Sequence, residues 1–117
     1  MSLAVADAEV VEKRALPRQR VLLRAVLAFG GHAFTPEAVI RNMTSGGAAV
    51  RLEPGLALPS RLHLIEIASG RAHEARVVWQ RNGFVGLELL ETRELAASPP
   101  GDPLRQLWIA RQPRVRS

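Results

Sequence analysis

Two runs of alternating residues joined by Asn82-Gly83 constrain this chain more than any other feature. In HEARVVWQR, residues 73–81, Ala75, Val77 and Trp79 recur with a period of two, and in FVGLELL, residues 84–90, Val85, Leu87 and Leu89 do the same. That period marks a strand with one buried face. Asn and Gly both tolerate positive φ, as required by the two-residue turn whose twist matches a right-twisted hairpin. The stretch therefore predicts an antiparallel hairpin closing at residues 82–83.

The same pattern runs through the rest of the chain. From Arg20, the residues Val21, Leu23, Ala25, Leu27 and Phe29 fall on one face, with Arg20 and Arg24 on the other. Gly30-Gly31 reads as a turn. A second strand is expected from Ala33 to Met43, with Pro36 marking an edge or a bulge. Ala48, Val50 and Leu52 form a third, ended by Pro54-Gly55. In RLHLIEI, residues 61–67, the apolar phase slips between Leu64 and Ile65, so either a bulge or burial of both faces is expected there. Ser69-Gly70 reverses the chain. After the linker Ser98-Pro99-Pro100-Gly101, Asp102 is placed to cap a helix with Pro103 at its first position, and Leu104, Leu107 and Trp108 share one helical face. The expected class is all-β: six antiparallel strands in a small barrel or curled sheet, with one C-terminal helix covering an opening.

The chain has 117 residues, no cysteine and a formal net charge of +5. The length suits one domain, and disulfide or thiolate chemistry is excluded. No apolar run approaches a membrane span, and MSLAVADAEVVEKR lacks the charge order of a signal peptide, so a cytoplasmic protein is expected. Lys13 is the single lysine; the other fifteen cations are arginine. Between Lys13 and Pro36 lie five cations (Lys13, Arg14, Arg18, Arg20, Arg24) and no acid, a patch that attracts anions. Residues 1–12 read as an N-terminal arm, 13–92 as the barrel domain with an arginine segment at 13–20, 93–112 as linker and helix, and 113–117 as a basic tail.

Catalysis is not expected. The only aspartates, Asp7 and Asp102, lie near the two ends, and the glutamates, Glu66 among them, fall mostly opposite the apolar faces and read as solvated. His32, His63 and His73 lack metal-ligand spacing, so neither a metal nor a cofactor is expected. Phe29, Phe34, Phe84, Trp79 and Trp108 read mostly as core, which argues against stacking on single-stranded nucleic acid. Binding is better supported. In "IRNMTSGGAAVRL", residues 40–52, Asn42 offers a donor and an acceptor, Thr44 and Ser45 add hydroxyls, and the N–H groups of a Gly46-Gly47 turn are candidates for an anion nest.

Two segments taken together resemble the PilZ domain family, bacterial receptors for the second messenger cyclic di-GMP. "RALPR" matches the family's R-x-x-x-R with Arg14 and Arg18, and "NMTSGG" matches its [D/N]-x-S-x-x-G with Asn42, Thr44 and Gly47. "ARVVWQRNGFVGLELLE" is similar to the family's last hairpin. A second R-x-x-x-R, Arg20 and Arg24, lies inside the first strand, whereas the family's motif precedes it. Thr44 stands where the motif has serine. The resemblance implies a six-stranded PilZ-type β-barrel that binds cyclic di-GMP through Arg14, Arg18, Asn42, Thr44 and Gly47, with Lys13, Arg20, Ser45 and Gly46 as further candidates. It implies signalling to a downstream protein partner through ordering of the arginine arm. The alternative is a PilZ-like adaptor without nucleotide binding that acts through a protein partner.

Overall fold

The computed structural model describes the backbone of residues 19–113 and side chains from Leu22 onwards. Six strands, β1 (Gln19–Ala28), β2 (Glu37–Met43), β3 (Gly47–Leu52), β4 (Arg61–Glu66), β5 (Arg71–Arg81) and β6 (Phe84–Glu94), precede a 3-10 turn (Leu95–Ala97) and helix α1 (Pro103–Ala110). The strands close into an antiparallel barrel in the order β1-β2-β3-β6-β5-β4. The β5–β6 hairpin closes at Asn82 (φ 47°) and Gly83 (φ 83°). A Cβ on Gly83 would lie 2.9 Å from the Leu52 carbonyl, so glycine is required there by contact as well as by conformation.

The expected second strand starts late. Gly30, Gly31 and His32 all take positive φ, and Phe29 and Phe34 close this wider turn as an isolated bridge. Pro36 therefore lies just ahead of β2, where its missing N–H interrupts no ladder. The other hairpin is longer than its apolar core suggested, because β5 and β6 continue past the buried residues as exposed, charged strand.

The barrel interior is filled by alternate residues of every strand, including Leu27, Ile40, Val50, Leu64, Ala75 and Val85. A second cluster lies outside the wall: Ala28, Ile65, Ala72, Leu95 and Leu104, with Leu107 and Trp108 packed against it. This resolves the phase slip in β4. Leu64 points into the barrel and Ile65 into the layer beneath α1, so both faces are buried. The helix thus covers the outer wall at β1, β4 and β5 rather than an opening of the barrel. Asp102 caps it, its carboxylate accepting from the Leu104 N–H at 2.9 Å and pairing with Arg93. Burial pushes the Asp102 pKa up, but the Arg93 and Leu104 hydrogen bonds outweigh it and hold the pKa below the ordinary value. The Trp108 indole donates to the Ile67 carbonyl at 2.8 Å. It lies so close to Gly70 that a Cβ there would sit 2.6 Å from the ring.

Leu104 is buried and Ile109, on the same helix, is exposed. Truncating a buried leucine costs about 2–5 kcal/mol, so Leu104→Ala should lower unfolding free energy by that amount in urea titration. Ile109→Ala should change it by no more than about 0.5 kcal/mol.

Candidate functional site

One row of directly paired residues crosses five strands: Trp79 opposite Gly86, Gly86 opposite Ala49, Ala49 opposite Asn42, and Asn42 opposite Arg20. Directly opposed residues share a face. Val85 and Val50 in the neighbouring row point into the barrel, so this row is on the outside. Two bulges put it there. On β2 the register shifts between Ile40 and Asn42, and on β5 between Val77 and Trp79. Each shift leaves one residue, Arg41 or Val78, without a direct partner, and turns the next residue from the inner face to the outer.

This corrects the reading of Trp79 as a core residue in phase with Ala75 and Val77. It is 47% exposed, and Phe34 and Phe84 are exposed too. The Trp79 indole lies on Gly86, where a Cβ would fall 2.1 Å from its Nε1. The ring is held against Gly86 and the rest of it is accessible. A cleft of about 290 Å³ lies over the row, lined by Asn42, Thr44, Gly47, Ala49, Trp79 and Gly86, among others. Asn42, Thr44 and Gly47 are thus brought together, and Trp79 joins them. The one local signal in the sequence of Trp79's outward position is Gly86, a residue without a side chain in the facing strand.

The loop between β2 and β3 is held by its own side chain. Thr44 Oγ1 accepts from the N–H groups of Gly46 (3.3 Å) and Gly47 (3.1 Å), and the Thr44 N–H donates to the Gly47 carbonyl at 2.9 Å. The Leu89 N–H donates to the Gly46 carbonyl at 3.0 Å, tying the loop to β6. The expectation of an anion nest at Gly46-Gly47 is therefore overturned. Both donors are already directed at Thr44, and neither glycine has positive φ. Gly47 matters for close approach instead, since a Cβ would lie 3.2 Å from the Leu87 carbonyl. Gly46 has open space around it. Ser45 is exposed and lines no part of the cleft.

Arg20 occupies its register position beside Asn42. Lys13, Arg14 and Arg18 lie outside the described residues. Gln19, the next residue after Arg18, pairs with Met43, so the arginine segment is joined to the barrel next to Asn42.

A second polar group was misread from the sequence. Glu66 and His73 face the barrel interior at one end and are buried, Glu66 6% and His73 4% exposed, so Glu66 is not a solvated strand residue. His73 Nε2 lies 2.6 Å from Glu66 Oε2 and Nδ1 lies 2.7 Å from Thr92 Oγ1. With the carboxylate as acceptor, the Nε2–H donates to Glu66, and Nδ1 shares the second hydrogen bond with the Thr92 hydroxyl. Ser69 Oγ donates to the other oxygen of Glu66 at 2.8 Å, not to His73, so the group contains no serine activated by the imidazole. It ties the turn at Ser69-Gly70 to the end of the barrel. His63 is apart from it, directly opposite Glu74.

Neither the family models nor the curated proteins compared with this chain match it. No helix among the described residues is long and apolar enough to cross a membrane.

The His73 hydrogen bond holds the Glu66 pKa below the ordinary value against the opposing effect of burial, with help from Ser69. A depressed carboxylate contributes stability that is present above the ordinary glutamate pKa of about 4.3 and is lost as pH falls through the folded-state value. Glu66→Gln should cost about 2 kcal/mol at neutral pH. The gap to the wild-type protein should narrow as urea titrations are repeated at successively lower pH into the carboxylate range.

Proposed function

We propose that the protein is a PilZ-type receptor for cyclic di-GMP and that the row from Trp79 to Asn42 is the fixed half of its binding site. One observation carries the reading. The β2 bulge turns Asn42 outward beside the Thr44–Gly47 loop, at the edge of the barrel to which the Arg14–Arg18 segment is joined. The extended reach of five residues, roughly 17 Å, keeps Arg14 within range of the cleft.

The chemistry of each part suits a cyclic dinucleotide. An arginine fork bridges guanine O6 and N7 or grips a phosphate, and its plane stacks on a base. The Asn42 amide presents a donor and an acceptor to a base edge. The exposed Trp79 ring offers an aromatic surface to a base, for which base–aromatic contacts are worth about 1–3 kcal/mol. Thr44 shapes the loop from within, and its hydroxyl does so as serine would. The arginine segment supplies the cations, and its ordering on the ligand is the change of surface that a downstream protein partner reads. No catalysis, metal or cofactor enters this reading.

The adaptor reading, without nucleotide, draws on one feature: the Gly46 and Gly47 N–H groups are satisfied by Thr44 and are not offered to a phosphate.

Isothermal titration with cyclic di-GMP, with GTP and cyclic di-AMP as controls, separates the two. The receptor reading expects saturable, guanine-selective binding. Arg18→Ala and Asn42→Ala should each weaken it tenfold or more, about 1.4 kcal/mol per decade. Gly86→Ala, whose methyl displaces the Trp79 indole, should weaken it without unfolding the barrel. No heat at high micromolar ligand, or unchanged affinity in Arg14→Ala and Arg18→Ala, would leave the adaptor.

A further inference from the structure

A groove of about 730 Å³ runs over the outer face of β1, β2 and β3 and shares no lining residue with the cleft over Asn42 and Trp79. Its centre is a second row of paired residues, Arg24 opposite Val39 and Val39 opposite Arg51. Leu22, Arg41 and Pro54 also line it. Leu22 is 74% exposed, an unusual outlay of apolar surface for a leucine in mid-strand.

The charges are as telling as the apolar floor. Among the described residues, Arg61, Arg71, Arg76, Arg93 and Arg111 each pair with a carboxylate, whereas Arg24, Arg41 and Arg51 in the groove pair with none, as do Arg81 and Arg105 away from it. Two acids line the same groove: Glu37, engaged by Arg111, and Glu53. The concentration of acid that remains in the sequence is at its start. MSLAVADAEVVE, residues 1–12, holds Asp7, Glu9 and Glu12 with no lysine or arginine, interspersed with Leu3, Val5, Val10 and Val11.

We propose that this groove is the docking site for residues 3–12 of the same chain, with their apolar side chains on Leu22 and Val39 and their carboxylates at Arg24, Arg41 and Arg51. The connection is long enough. Six residues separate Glu12 from Gln19, at the start of the strand that carries Leu22 and Arg24, and the seven steps along the chain span up to roughly 25 Å. A tether of this length holds the segment at millimolar effective concentration, so a weak contact is populated. The inference is independent of the nucleotide reading.

The chain has no cysteine, so Ser2→Cys carries a single nitroxide label on the full-length protein. In ligand-free ¹⁵N-labelled protein, the label should broaden the amide signals of Leu22, Val39 and Arg51 more than those of Arg61 and Arg76 on the opposite wall. Asp7→Lys, Glu9→Lys and Glu12→Lys combined should abolish the difference, as should salt at about 1 M, where the Debye length is about 3 Å. Uniform broadening, broadening centred elsewhere, or broadening indifferent to charge reversal would overturn the proposal. Broadening seen only between spin-labelled and ¹⁵N-labelled copies would assign the groove to another molecule's segment and overturn it too. So would shifts of the groove amides on adding a short oligothymidylate to a protein that shows no groove broadening, which would assign the arginines to a polyanion.

Discussion

One unpaired residue in each of two strands decides what this barrel shows to solvent. A side chain alternates between faces with a period of two, so a single extra residue moves everything beyond it to the other side. At Arg41 that shift takes Asn42 out of the core, and at Val78 it does the same for Trp79. The two residues then fall in one row with Ala49 and Gly86 between them. Had either strand stayed regular, the amide or the indole would point into the barrel and no cleft would exist. A tryptophan left half in water forgoes part of its burial energy. Set against Gly86, which has no side chain to displace it, the ring keeps surface available to a partner.

The rest of the molecule holds this surface steady. The inner core fixes the strands from one side, and the layer under α1 fixes the wall at β1, β4 and β5 from the other. The buried Glu66–His73 pair, bonded outward to the exposed Thr92 hydroxyl, closes one end with hydrogen bonds that the two buried side chains need once out of water. On the row from Trp79 to Asn42 the supports are local: Thr44 folds the loop onto its own hydroxyl, and the Leu89 N–H pins that loop to β6. The cleft is therefore built on strand and on a braced loop, and the cations proposed to complete it come from the segment ahead of β1.

Much of the architecture was legible from residue types. The alternation in residues 20–90 predicted six antiparallel strands. Asn82-Gly83 predicted its turn because few other pairs accept two positive φ values, and Asp102-Pro103 predicted the start of α1. What failed to show was phase. Arg41 and Val78 are ordinary strand residues, and nothing in their chemistry announces a bulge. Trp79 therefore read as core, and Glu66 read as solvated although it points inward with Leu64. The helix was expected over an opening because Ile65, Ala28 and Ala72 do not by themselves reveal that the wall is buried on both sides. The site divides in the same way. A motif singled out Asn42, Thr44 and Gly47, which line one cleft, while Trp79 beside them was visible only as the neighbour of an otherwise unexplained glycine. The nest at Gly46-Gly47 was a sound reading of composition, overruled by where the Thr44 hydroxyl sits.

The location of the proposed site can be tested through the two tryptophans alone. Trp79 lies on the outer row, and Trp108 is held under α1 by the Ile67 carbonyl. In a ¹H–¹⁵N correlation spectrum each gives one indole resonance, assigned with Trp79→Phe. Saturating cyclic di-GMP should shift the Trp79 indole signal and leave that of Trp108 in place. An unmoved Trp79 signal at saturation, or a shift confined to Trp108, would contradict a binding surface built on this row.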